Sequence, residues 1–263
     1  MIFINPQWQG SGFTDELKLG AETFISYFKD SDIKVVPLST KELTTIDNIN
    51  CFEPLLEQAN FFKEIIINSR PGKISTIGGD CAIELMPVSY LNKLYNEDLC
   101  IIYIDAHADL NTPESSPSKA FHGMPLRTLL GEGNQQFVDL LFSKLKPEQI
   151  CYVGLRDLDE PESEYILQHN ITTIANCQFE EVQNKIQHYK NVYVHLDLDV
   201  LDKTEYEFSM FPTNIGSSVS DVAELIGKIK TNSNVVGFCI TESIATTINQ
   251  LNTIKPILDQ IEL

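Results

Sequence analysis

Short runs of β-branched and other apolar residues recur along the chain at residues 2–4, 33–36, 74–77, 100–104, 150–153, 171–174, 192–198 and 235–240, giving eight candidate strands. Between them lie longer segments in which apolar positions repeat at three- and four-residue spacing, for example 54–67, 83–95, 162–169, 180–189 and 219–230. That spacing gathers apolar side chains on one face of a helix, whereas the strands are apolar on both faces. Strands alternating with helices predict βαβ units and a parallel sheet covered on both sides. An open three-layer sandwich and a closed eight-stranded barrel both satisfy this pattern, and periodicity alone does not separate them.

The longest apolar stretches, such as residues 99–104, stop far short of the roughly 20 residues a membrane-spanning helix needs, so no membrane association is expected. Met1-Ile2-Phe3-Ile4-Asn5-Pro6 has neither a basic segment nor a small-residue cleavage site and reads as a first strand, which predicts a cytoplasmic protein. A chain of 263 residues with 43% hydrophobic content can bury a sizeable core, and one domain over residues 1–263 is expected. The net charge of −18 argues against nucleic acid or an anionic membrane as partner and fits a small cationic substrate. Cysteines 51, 81, 100, 151, 177 and 239 have no paired spacing and mostly sit in apolar runs, so no disulfides are expected.

Polar clusters fall at the carboxyl ends of the candidate strands, where parallel sheets bind ligands. The third ends in Gly78-Gly79-Asp80-Cys81, the fourth in Asp105-Ala106-His107-Ala108-Asp109, the fifth runs to Arg156-Asp157-Leu158-Asp159, the seventh ends in His195-Leu196-Asp197-Leu198-Asp199 and the eighth in Thr241-Glu242. Alternation along a strand puts Asp105 with His107, and Asp197 with Asp199, on shared faces. Carboxylates crowded in this way repel one another unless cations neutralise them, and their mixture with imidazole suits Mn²⁺, Zn²⁺ or Fe²⁺ better than Ca²⁺. Two such cations can hold a hydroxide at neutral pH, which points to hydrolytic chemistry. A lone Asp-x-Asp at a strand end is an ordinary turn or helix cap; several clusters together are not. The longest polar loop, residues 111–119, follows the fourth strand and is a further site candidate.

Gly78-Gly79-Asp80, Asp105-Ala106-His107-Ala108-Asp109, His122-Gly123-Met124-Pro125 and Asp197-Leu198-Asp199-Val200-Leu201-Asp202 together resemble, in order and spacing, the signatures of the arginase/agmatinase (ureohydrolase) family, over nearly the whole chain. The resemblance implies an α/β fold, a three-layer α/β/α sandwich with an eight-stranded mostly parallel sheet, and a dinuclear manganese centre. It implies that Asp105 and Asp197 bridge the metals, with Asp109 on one side and His107 and Asp199 on the other. Cys81 stands where the family usually has a histidine ligand. A thiolate can ligate and favours Zn²⁺ or Fe²⁺ over Mn²⁺; a buried inert thiol is the other reading. His195 shares the face of Asp197, where a metal role, a supporting role and a place in the core all stay open.

By the same resemblance His122 carries protons to the leaving amine, Glu242 pairs with the substrate guanidinium, and Asp109 also orients the attacking hydroxide. The implied reaction is hydrolysis of L-arginine to urea and ornithine by an enzyme acting on linear amidines. Asn111 and Ser118 match positions that contact the α-carboxylate in arginases, although Ala120 stands where asparagine is common. Asp159 matches a contact to the α-amino group. Because Glu160, Pro161 and Glu162 form a favourable helix start, Asp159 could equally be a cap, and Asp157 is assigned to structure. Lys203 replaces the proline that usually follows the last aspartate. Agmatine, a guanidino acid or a formimino amino acid are alternative substrates, a non-catalytic ligand-binding or regulatory homologue is an alternative of another class, and a single-zinc amidohydrolase is a third. The family further implies a homo-oligomer, a trimer or hexamer.

Overall fold

The computed structural model describes residues 1–12 and 14–261. Strands β1 (Ile2–Ile4), β2 (Ile33–Val35), β3 (Ile74–Ile77), β4 (Leu99–Ile104), β5 (Ile150–Val153), β6 (Thr172–Ile174), β7 (Asn191–Asp197) and β8 (Asn234–Thr241) form one sheet in the order β2-β1-β3-β8-β7-β4-β5-β6. Every neighbouring pair is parallel. The sheet is open, which decides for the sandwich over the barrel.

Alternation along β4 shows how both faces become covered. Cys100, Ile102 and Ile104 enter one apolar cluster, and Leu99, Ile101 and Tyr103 the other. Helices α1 (Glu16–Tyr27), α2 (Phe52–Ser69), α3 (Leu85–Leu94), α4 (Pro125–Leu129), α5 (Gln135–Leu140), α6 (Glu160–His169), α7 (Phe179–Ile186), α8 (Val219–Asn232), α9 (Ile248–Leu251) and α10 (Lys255–Leu258) divide between these clusters. Phe24, Val182, Leu225, Leu251 and Ile257 place α1, α7, α8, α9 and α10 on the first face. Leu55, Leu91, Leu126, Phe137 and Tyr165 place α2 to α6 on the second. Each fully buried aliphatic side chain contributes about 1.5–3 kcal/mol, so the central strands are the most strongly anchored part of the protein. β7 and β8 pack closely: a Cβ on Gly237 would stand 2.1 Å from the Tyr193 ring.

Three expectations change in detail. The segment expected as one helix over 83–95 is a turn of 3-10 helix (Cys81–Glu84) followed by α3, because the Asp80 carboxylate accepts the Ala82 N–H at 3.0 Å and starts the turn early. β4 ends at Ile104 and β7 at Asp197, so strand alternation does not aim Asp105 with His107 or Asp197 with Asp199. Residues 105–109 form a loop, and Leu198–Val200 form a 3-10 turn started by the Asp197 carboxylate accepting the Asp199 N–H at 2.7 Å. All six cysteines are free.

Candidate metal centre

The four central strands β3, β8, β7 and β4 are neighbours, and all their carboxyl ends open at the same edge of the sheet. Topology thereby brings together residues 81, 242, 197–199 and 105–109, which are far apart in sequence. Asp105, Asp109, Asp197, Asp199, Glu242 and Cys81 are all buried, and His107 is partly exposed.

On one side His107 Nδ1 lies 2.7 Å from Asp199 Oδ2 and 3.7 Å from Asp105 Oδ1. The loop is pinned by His107 N–H donating to Asp105 Oδ1 at 2.7 Å and Ala106 N–H to Asp199 Oδ1 at 3.2 Å. On the other side Cys81 Sγ lies 3.0 Å from Asp197 Oδ2, and the Tyr103 hydroxyl donates to Asp109 Oδ2 at 2.6 Å. Ligand-capable atoms form close groups: Asp105, His107 and Asp199; Cys81, Asp105, Asp109 and His195; Cys81, Asp197 and Glu242, each within 4.8 Å.

Crowding shows in the protonation equilibria. Burial first, then the charges of Asp199, Asp197 and Asp109, raises Asp105 well above the ordinary carboxylate range. Burial likewise pushes Asp109 up to about 7 and Asp197 up to about 8, Asp199 adding repulsion for Asp197. Burial opposes the charged form of His107, but the Asp199 hydrogen bond and surrounding carboxylates outweigh it and hold the imidazole up at about 11. Asp105 Oδ2 and both Glu242 oxygens are buried without a hydrogen-bond partner. Such orphaned acceptors are rare in folded proteins. Together with a donor set of carboxylates, imidazole and sulfur, they fit divalent cations.

Glu242 has a left-handed backbone (φ 64°), fixed by its N–H donating to Gly79 O and its carbonyl accepting from Met210 N–H, both at 2.8 Å. Its Oε1 lies 3.3 Å from His122 Nδ1. Burial, then the charges of Asp80, Asp199 and Asp109, raises Glu242 well above its ordinary value. His122 in turn is held by its N–H donating to Gly10 O at 3.1 Å.

The rim residues separate. Asn111 Nδ2 donates to Asp159 Oδ2 at 2.9 Å, so these two meet. Asp159 also precedes α6, with its N–H donating to Glu162 Oε2 at 3.0 Å; the capping and rim positions coincide in one residue. Ser118 is exposed, and its hydroxyl accepts from Ala120 N–H and contacts Ser116 Oγ within its own loop. Asp157 is exposed, 3.7 Å from His107 Nε2. Asp202 accepts from Thr204 and Gly216 N–H groups and shapes the loop containing Lys203.

Sequence reasoning named Asp80 within a strand-end cluster but gave it no role, and it did not single out Tyr103 or Glu84. Asp80 accepts from Gly10 N–H at 2.8 Å and Gln7 Nε2 at 2.9 Å, and so anchors the loop after β1 whose carbonyl holds His122. Glu84, a lone carboxylate in the apolar run Cys81-Ala82-Ile83-Glu84-Leu85-Met86, carried a signal that was available.

The fold and this cluster define a class: three-layer α/β proteins with a buried acid-rich site, suited to two divalent cations, at the strand ends of a parallel sheet. The chain belongs to the arginase family, whose model matches residues 16–253. It is 41% identical over 140 residues to the arginase of Staphylococcus aureus strain MRSA252, a match covering 49% of this chain and 46% of that protein. The chain thus spans about half the length of the curated relatives it matches. Its fold is similar to Entamoeba histolytica arginase in complex with L-ornithine (TM-score 0.87, 22% identity, 100% of this chain and 97% of that one) and to Bacillus subtilis arginase (TM-score 0.83, 22% identity, 99% and 96%). Among the described residues no helix is long and apolar enough to cross a membrane.

Proposed function

We propose that this chain is a metal-dependent hydrolase that cleaves the guanidinium group of L-arginine to urea and ornithine. The observation that carries the reading is the convergence of Asp105, His107, Asp109, Asp197, Asp199 and Glu242 at three adjacent strand ends, with His122 beside Glu242, in a member of the arginase family. Asp105, Asp197, His107, Asp199, Asp109 and Cys81 would hold two divalent cations, Mn²⁺ by family resemblance and Zn²⁺ or Fe²⁺ by the softness of the Cys81 sulfur. When bound, such a pair supplies a hydroxide nucleophile at neutral pH.

The protein's own groups do the rest. Glu242 offers two buried oxygens without hydrogen-bond partners to the planar guanidinium, whose charge offsets the cost of ionising that carboxyl. Tyr103 fixes the Asp109 carboxylate by occupying Oδ2, which leaves Oδ1 to orient the nucleophile. His122, beside Glu242 and 21% exposed, can take a proton from solvent and pass it to the departing amine. Asn111 and Asp159 form a polar pair for the α-substituents of an amino acid.

Release of urea or formamide from L-arginine, agmatine, guanidino acids and formimino amino acids, with Mn²⁺, Zn²⁺ or Fe²⁺ loaded, tests the proposal. Turnover of L-arginine and not agmatine is expected. Turnover of agmatine alone transfers the substrate assignment, and metal-loaded protein inactive on the whole panel would falsify the enzymatic reading in favour of ligand binding.

A further inference from the structure

His195 lies in β7, fully buried, one pair below Asp197 on the same face of the strand. Register sets it between Tyr103 of β4 and Cys239 of β8. The Tyr103 ring stacks on the imidazole, centroids 3.8 Å apart and planes within 2°, which fixes the ring plane. Nδ1 lies 2.8 Å from Glu84 Oε2, which fixes the rotation within that plane. Nε2 is therefore aimed at the cluster from below, 3.5 Å from Asp105 Oδ2, and neither of these buried atoms has a hydrogen-bond partner.

That separation exceeds the about 2.7–3.2 Å of an ordinary N–H···O hydrogen bond. Two donors each about 2.1 Å from one tetrahedral cation stand roughly 3.4 Å apart. Cys81 Sγ and an Asp109 oxygen complete the group within 4.8 Å. A carboxylate accepting the Nδ1–H of a histidine leaves the lone pair on Nε2, sets the ring direction and raises its basicity, the usual support of a metal-bound imidazole.

We propose that His195 Nε2 is a metal ligand, sharing one cation with Cys81, Asp105 and Asp109, and that Glu84 is its positioning residue. The assignment rests on the two-cation reading above. The imidazole that the family resemblance places at residue 81 is supplied here from β7, and cysteine occupies the end of β3. The resulting set of one sulfur, one imidazole nitrogen and two carboxylates suits Zn²⁺ or Fe²⁺ better than Mn²⁺.

The test is a crystal structure of the Zn²⁺-loaded wild-type protein with anomalous data at the zinc edge, together with metal content by mass spectrometry for wild type, His195→Gln and Glu84→Gln. Expected are two cations per chain, one about 2.1 Å from Nε2. His195→Gln should keep only the cation at His107, and Glu84→Gln should weaken one site about 10- to 100-fold. Two cations with none in bonding reach of Nε2, or a folded His195→Gln that keeps both at unchanged affinity, overturns the His195 assignment and leaves the two-cation reading standing. A wild-type protein that binds no cation overturns both. The wild-type structure decides the question even if His195→Gln does not fold.

Discussion

Stripped of cations, the protein is expected to lose stability as pH rises across the mildly acidic range, the reverse of ordinary acid denaturation. Burial lifts Asp109 to about 7 and Asp197 to about 8 from 3.8, and lifts Asp105 well above the same starting value. An acid whose pKa is higher folded than unfolded is protonated in the folded chain and ionised in the unfolded one between the two values. The unfolded state binds fewer protons there, so stability is full below the unfolded pKa and falls through a window from about 4 to about 8. His107, raised from 6.5 to about 11, acts in the same direction above the unfolded value.

One proton retained on folding amounts to about 1.4 kcal/mol per pH unit. With one proton taken as the minimum for three raised carboxyls, about 3 kcal/mol is lost between roughly pH 5 and 7. At about 2–4 °C per kcal/mol for a chain of this size, Tm falls by roughly 6–12 °C. Saturating cation takes the place of those protons and binds more tightly as pH rises. Cation at about 100 times its Kd adds about 2.7 kcal/mol per site, which should flatten or invert the profile. Scanning calorimetry of chelator-treated and metal-loaded protein at about pH 5, 6 and 7 measures both slopes. A metal-free Tm that stays level or rises over that interval would refute the reasoning, because the carboxyls would then not be raised by mutual burial.

Three further outcomes are expected. Glu242→Gln keeps the shape of the side chain but removes the charge facing the guanidinium, a loss of about 1.5–3 kcal/mol, seen as a roughly 10- to 150-fold rise in KM for urea release; an unchanged KM removes Glu242 from substrate binding. His122→Asn should lower kcat about 10²- to 10⁴-fold with metal content unchanged; loss of a cation instead would show that His122 supports the metals. Gly20→Ala would drive a Cβ to 1.8 Å from the Ser243 carbonyl oxygen, next to Glu242. It should lower stability by about 1–3 kcal/mol in urea titration, and an unshifted midpoint contradicts the close packing of α1 on that loop.

The sheet was legible because its strands are buried on both faces: runs such as 100–104 and 150–153 have no competing reading once helices flank them. Short helices such as α5 and α9 were harder to see, since four to six residues show little periodicity and depend on caps such as the Asn134 and Thr247 side chains. Strand order was not legible at all. Nothing in the sequence says that β8 lies between β3 and β7, yet that insertion carries Glu242 to the Cys81 and Asp197 group.

Alternation misplaced the cause of convergence while locating the residues. Asp105, His107 and Asp199 stand in a loop and a turn, held by the Asp105, Asp197 and Asp199 carboxylates accepting backbone N–H groups. Each of those aspartates therefore has one oxygen committed to the backbone and the other free for the cluster, and replacing one disturbs geometry and charge together. For His195 alternation was the right guide, since it lies inside the strand. What the strand could not show is which way the ring turns. Tyr103 and Glu84, from β4 and the turn after β3, decide that. The departure at Cys81 and the histidine at 195 are thus one question, because the two side chains meet at the same group of ligand atoms. Cysteine at the end of β3 and a supported imidazole two strands away on β7 point at the same place, so neither side chain can be replaced without testing the other.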